Sequence, residues 1–119
     1  MMDCNAGATA LSSNSNIAIG HSALGGTWAD AASNFNIAIG HYALDAGVNG
    51  ATGNVALGYG ALTSLTEGDG NVALGMNTLE DLNTGTYNTG VGREAIKNVT
   101  TGTRNIGLGL ESGITLTTG

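Results

Sequence analysis

The chain contains no proline, a single cysteine, few aromatic residues and few charged residues. Aromatic residues make up 4% of its 119 residues, and charged residues make up 10%. The lone cysteine, Cys4, excludes a disulfide framework and a cysteine-based metal site. The shortage of aromatic side chains argues against a bulky globular core. We therefore predict a thin core of aliphatic side chains stacked along an axis.

Positive charge is scarce as well. The chain has three basic residues and nine acidic ones, which gives a formal net charge of −6. The basic residues are Arg93, Lys97 and Arg104. Nucleic acids and anionic membrane surfaces both require a basic patch on their partner, so we expect neither of them to bind here. No apolar run approaches the length of a transmembrane span, and residues 1–13 lack the pattern of a signal peptide. We therefore expect no membrane insertion.

Glycine is abundant, with 21 residues, and many of these glycines close a five-residue phrase that recurs along the chain. The first copy reads Asn-Ile-Ala-Ile-Gly, and the spacings from one Asn to the next are 20, 18, 17, 17 and 17 residues. A short fixed period is typical of a solenoid. The six Asn positions are Asn16, Asn36, Asn54, Asn71, Asn88 and Asn105, and the six closing positions are Gly20, Gly40, Gly58, Gly75, Gly92 and Gly109.

Within each phrase, side-chain size alternates with a period of two, which predicts a short β-strand. The first and third positions after Asn are mostly large aliphatic residues, and we expect that side of the strand to be buried. The second position is always small, which indicates that another backbone packs against it. That backbone belongs either to the far side of the same coil or to a second chain. The small residues are Ala18, Ala38, Ala56, Ala73, Gly90 and Gly107.

The remainder of each repeat contains an aliphatic pair, such as Ala61-Leu62, and a turn rich in Gly, Thr and Asn. Leu65 follows Leu62 by three residues, a spacing that fits one helical turn or, equally, an outer strand. In a parallel stack the Asn amides can bond to one another from coil to coil. The Gly after the strand suits a corner with a positive φ angle.

These patterns predict an all-β parallel solenoid of about six 17-residue coils, with either one-turn helices or outer strands between the inner strands. We assign residues 1–15 to a degenerate N-terminal repeat and residues 16–119 to the solenoid. The coils begin at residues 16, 36, 54, 71, 88 and 105. The final Thr-Thr-Gly matches residues 100–102, so the last repeat stops part-way. We therefore expect the repeats to continue beyond residue 119.

The phrases Asn-Ile-Ala-Ile-Gly and Asn-Val-Ala-Leu-Gly resemble the head repeat of YadA-type trimeric autotransporter adhesins. The longer pattern Asn-x-Ala-Leu-Gly-x-x-Ala-Leu is similar to repeats of phage tail fibres. The resemblance covers about residues 3–119 and implies a left-handed β-roll, a homotrimer and a role in attachment outside the cell. The 17-residue period departs from the adhesin heads, whose repeats have about fourteen residues.

Few residues suggest a site. His21 and His41 both follow the closing Gly, and stacked histidines could hold a metal or a proton. Tyr59, Met76, Arg93 and Leu110 fill the same position in later coils, which favours a tolerant surface column. Trp28 lies in the longest insertion and is either a receptor contact or a residue packed over the first coils. The acidic residues do not recur in register, so no catalytic pair stands out. We assign no catalytic, cofactor-binding or metal-binding residue.

We therefore expect a non-enzymatic fibre segment of a phage tail fibre or similar virion appendage, which mediates attachment to a host or surface. Two alternatives stay open: a bacterial surface adhesin head or extracellular filament subunit, and a non-catalytic part of a glycan depolymerase. The expected location is a virion appendage, the extracellular space or a cell surface. The expected partners are further copies of the chain, as a homotrimer, and a host receptor or glycan.

Overall fold

The computed structural model of the protein describes residues 13–27 and 32–119, and within these ranges it has six short strands that form one parallel sheet. The strands follow the chain order, and each pairs in register with the next, for example Ala56 with Ala73. This arrangement confirms the parallel β-solenoid, while its handedness and the number of chains per assembly stay predictions. The strands are β1 (Ile17–Ile19), β2 (Ile37–Ile39), β3 (Val55–Leu57), β4 (Val72–Leu74), β5 (Thr89–Val91) and β6 (Ile106–Leu108).

Hydrogen bonds join successive coils outside the strands as well. The Leu62 N–H donates to the Thr78 carbonyl at 3.1 Å, and the Thr66 N–H donates to the Asn83 carbonyl at 2.9 Å. Because these bonds lie on other sides of the coil, the backbone is tied to its neighbours around the circumference. The part of the chain that the structure describes contains no helix long and apolar enough to cross a membrane.

The segment after the closing Gly forms tight turns, so both predictions for it, a one-turn helix and an outer strand, are wrong for the described coils. The Ala61 N–H donates to the Gly58 carbonyl at 3.4 Å, and the Leu65 N–H donates to the Leu62 carbonyl at 3.2 Å. Leu62 has a φ angle of 54°, in the left-handed region, which interrupts any right-handed helix. The same position is left-handed in the other five coils, at Leu24, Leu44, Leu79, Ile96 and Gly113.

The core lies inside each coil, between the strand and the turn that follows it. Ala38, Ala56 and Ala73 are fully buried, and they belong to one apolar cluster with the turn leucines, such as Leu44 and Leu62. The backbone that packs against the small positions is therefore the far side of the same coil. The core is completed by valine and leucine side chains that follow the turn leucines along the chain: Val48, Leu65, Leu82 and Val99.

The expectation that the large aliphatic side of the strands is buried is wrong for the single chain. Ile17 and Leu57, at the first and third positions, are 48% and 44% exposed. Since the turn leucines already fill the narrow coil, only a methyl group or a hydrogen fits on the inner side of the strand. The larger side chains therefore point outward, away from the core.

Candidate functional surface

The predicted Asn positions form a continuous hydrogen-bonded ladder along the inner edge of the solenoid. The Asn54 side-chain oxygen accepts both the backbone N–H and the side-chain NH2 of Asn71, at 2.9 and 3.0 Å. The Asn71 side chain also donates to the Gly85 carbonyl at 2.9 Å. The four central asparagines, Asn36, Asn54, Asn71 and Asn88, are fully buried, whereas Asn16 and Asn105 at the ends are part-buried. These amides hold coils together and present no group to a ligand.

The closing glycines stack on one another, and in the first five coils there is no space for a side chain between them. Gly75 has a φ angle of 136°, and a Cβ atom added to it would lie 2.7 Å from the Gly92 carbonyl carbon. Backbone is therefore packed against backbone at this corner, and a side chain would meet an atom that cannot rotate away. The six glycines share this left-handed conformation, with φ angles between 107° and 137°, at Gly20, Gly40, Gly58, Gly75, Gly92 and Gly109.

The second position of the phrase is Gly instead of Ala in the coil where it packs against a Thr side chain of the preceding turn. Thr78 occupies the position that alanine fills in the other central coils, and its methyl group would lie 2.5 Å from a Cβ added to Gly90. The Thr78 hydroxyl donates to the Gly92 carbonyl at 2.6 Å. The change from Ala to Gly at residue 90 thus makes room for the change from Ala to Thr at residue 78.

The outer side of the sheet carries an extended apolar surface. In the part of the chain that the structure describes, eleven large apolar side chains are exposed. All eleven fall in four alternating positions of the repeat: the residue before Asn, the first and third positions, and the residue after Gly. We call the side chains at these four positions the outer apolar face. The eleven are Ile17, Ile19, Phe35, Leu57, Tyr59, Met76, Tyr87, Val91, Ile106, Leu108 and Leu110.

At one margin of the outer apolar face, four rings from the first three coils form a cluster that we call the aromatic corner: His21, His41, Tyr42 and Tyr59. The ring centroids of His21 and His41 are 4.7 Å apart, and those of His41 and Tyr42 are 4.0 Å apart. Tyr59 extends the cluster, with its ring 5.7 Å from His41. Tyr42 is part-buried, whereas the other three side chains are exposed.

One carboxylate, Asp45, lies beside the aromatic corner. Partial burial raises the pKa of the Asp45 carboxyl above its ordinary value, and the nearby imidazoles of His21 and His41 oppose that rise. A Cβ added to Gly25 would lie 2.8 Å from an Asp45 carboxylate oxygen, so the carboxylate rests over the backbone of the preceding coil. The corner thus combines ring faces with an acceptor that is only partly hydrated.

The rest of the described surface is acidic, and two of its three basic side chains are already paired. Lys97 contacts Glu80 at 3.0 Å, and Arg93 contacts Glu94 at 3.0 Å. The hydrogen bond to Glu80 raises the pKa of the Lys97 amine above its ordinary value. These contacts leave no cluster of unpaired cations for an anionic ligand.

The interpretation of Trp28 as a receptor contact stays a prediction, because this residue lies outside the described residues. Asp69 accepts a hydrogen bond from the Thr52 N–H at 2.7 Å and so serves a turn. Within residues 13–27 and 32–119, no group of three or more His, Cys, Asp or Glu side chains could hold a metal ion.

Sequence reasoning noticed the two histidines but missed the cluster, because Tyr42 and Tyr59 occupy different positions of the repeat. It also missed the direction of the large aliphatic residues. One signal was available for the latter: Thr89 and Arg93 share columns with aliphatic and aromatic residues, which is typical of an outward-facing side. Comparison of the chain with protein-family models, curated proteins and solved structures finds no match.

Proposed function

We propose that the chain is a structural segment of an extracellular attachment fibre, of the kind found in phage tails, and that it assembles as a homotrimer through the outer apolar face. The observation that carries the proposal is the placement of the eleven exposed large apolar side chains, all of which lie in four outward positions. Exposed apolar patches above a few hundred Å² mark interaction surfaces. The solenoid therefore has one side that favours a partner.

The size of this surface is suited to stable assembly. The eleven side chains together expose on the order of 1,000 Å², and a specific interface buries about 800 Å² on each partner. The columns are regular, since the register repeats from coil to coil. Three copies of such a face can converge on a common three-fold axis along their whole length. The resemblance of the repeat to trimeric fibre repeats supports three chains rather than two.

The inner side of the molecule supports a mechanical role. Buried Asn amides and stacked glycines join each coil to the next, and the central Asn side chains, such as that of Asn71, are hydrogen-bonded within the chain. Catalysis requires reactive groups converging on a substrate. The described inner side offers amides, aliphatic groups and the hydrogen-bonded hydroxyl of Thr78, so it is suited to holding shape.

Native mass spectrometry of the full chain tests the assembly. We expect a mass of three chains, and we expect Leu57→Glu to dissociate it, because three carboxylates would be forced into an apolar interface. Thr84→Glu is the matched control, since it adds the same charge at an exposed turn away from the outer apolar face. A strictly monomeric wild-type protein, or equal dissociation by both variants, would contradict the proposal. Circular dichroism establishes that each variant is folded.

A further inference from the structure

We propose that the aromatic corner is a binding site for an uncharged carbohydrate, with the rings of His41 and Tyr59 as its stacking surface and Asp45 as its hydroxyl-binding group. This inference rests on the proposed role in attachment, to which it adds the site and the chemical class of the ligand. The corner overlaps the assembly surface only in the column of residues after Gly, which is the marginal column of the outer apolar face, and only in the first three coils.

The fold does not require aromatic residues at this corner. The position after Gly is Met76, Arg93 and Leu110 in the last three coils, and the next position is Asn77, Glu94 and Glu111. The turn nevertheless keeps its form: the hydrogen bond from the third residue after Gly back to the Gly carbonyl is present with Ala95 and Ser112 as it is with Ala61. The four rings of the early coils are therefore additional to what folding needs.

Tyr42 strengthens this point. Its φ angle is 60°, in the left-handed region, and the equivalent position of every other coil, such as Glu94 and Glu111, is left-handed as well. The turn therefore accepts several residue types at this position and does not require a tyrosine. Tyr42 also packs its ring 4.0 Å from that of His41, so it holds the exposed imidazole in place.

The chemistry of the corner matches a sugar. A pyranose ring has one face of C–H groups, which carry partial positive charge and are attracted to the negative face of an aromatic ring. Its hydroxyl groups need fixed acceptors, and a carboxylate such as Asp45 can accept two of them. The spacing of the rings, 5.7 Å between His41 and Tyr59, allows one ligand to contact both.

Charge decides between uncharged and anionic carbohydrates. The chain carries a formal charge of −6, Asp45 lies beside the corner, and Lys97 and Arg93 are paired with acidic side chains elsewhere. An anionic sugar would meet this carboxylate with no lysine or arginine among the residues of the corner, and the repulsion disfavours it. The expected ligand is therefore built from neutral hexoses, deoxyhexoses or N-acetylhexosamines.

The test is a glycan array that carries neutral oligosaccharides of these three kinds beside sialylated and sulfated ones, probed with the full chain. We expect binding to neutral glycans only. For the neutral oligosaccharide with the strongest signal, isothermal titration should show binding at least tenfold weaker for Tyr59→Ala and for His41→Ala. Tyr87→Ala is the control, because Tyr87 is 58% exposed, against 51% for Tyr59, at the opposite end of the strand.

Absence of any neutral binder, exclusive binding of anionic glycans, or an equal loss with Tyr87→Ala would each overturn the carbohydrate site. Native mass spectrometry of the same samples separates the two proposals. A trimer that binds no neutral glycan leaves the fibre proposal standing and removes this inference. A monomer whose glycan binding depends on Tyr59 supports this inference and removes the trimer. Circular dichroism establishes that Tyr59→Ala and His41→Ala retain the fold.

Discussion

The inner and outer sides of the six strands follow different rules. On the inner side, Asn, a small residue and Gly recur in all six coils, whereas the outer columns accept aliphatic, aromatic and charged residues. An inner residue is fixed by the coils above and below it and by the turn across the coil. An outer residue of the single chain meets only its column neighbours and solvent. The inner side of each short strand thus specifies the architecture, whereas the outer side is free to vary in sequence.

The largest effect is expected from breaking the inner ladder at its centre. Asn71→Ala removes the acceptor for the backbone N–H and side chain of Asn88, and it leaves the Gly85 carbonyl without its donor. All these groups are buried, so we expect a loss of about 3–5 kcal/mol in the free energy of unfolding. Urea denaturation followed by circular dichroism measures this loss. Asn105→Ala, at the part-buried end, should cost clearly less, and equal losses would contradict the ladder argument.

The stacked glycines come next. Gly75→Ala places a methyl group against the backbone of Gly92 in a conformation that alanine rarely adopts, and we expect a loss of about 2–4 kcal/mol. Gly109 has a φ angle of 107° but nothing within 4 Å of an added Cβ atom. Gly109→Ala therefore retains the backbone strain and lacks the collision. Thermal unfolding of the two variants separates these contributions, and a larger loss at residue 109 would refute this account.

Two neighbouring residues offer the most direct test of the comparison. Ala73→Thr forces a hydroxyl and a methyl group into the filled coil, and we expect it to cost about 1–3 kcal/mol at every protein concentration. Leu74→Thr changes the outer side, where Thr89 already occupies the adjacent column, so it should affect only stability that depends on assembly. Melting temperatures over a range of concentrations test both expectations. A concentration-independent loss with Leu74→Thr would show that the outer side also specifies the coil.

The smallest effect is expected from a pair of substitutions whose costs cancel. Gly90→Ala should cost about 1–3 kcal/mol, because its methyl group would meet that of Thr78. Adding Thr78→Ala restores the Ala–Ala combination of the earlier coils, and the double variant should unfold within about 1 kcal/mol of the wild type. A double-mutant cycle from urea denaturation measures this coupling. Additive losses would mean that the two positions do not share space.

Much of the fold follows from the sequence alone, because the period, the alternation and the turn residues agree with one another. Which side of each strand faces the core does not follow from the sequence. Ile37 and Ala38 alternate in the same way whichever of them faces the core, and large aliphatic residues are buried more often than not. The deciding contact comes from Leu44 and its equivalents across the coil. The aromatic corner was hidden for a similar reason, since its rings come from three coils and two positions of the repeat.

The way each coil bonds only to its two neighbours has a consequence for how such a molecule changes over generations. One further repeat of 17 residues would add a rung of about 4.8 Å and leave the cross-section unaltered. In the gene, that step corresponds to an in-frame insertion of about 51 base pairs, three for each of the 17 residues. The length of the solenoid can therefore change by one coil at a time during evolution, while the contacts within and between the existing coils stay the same.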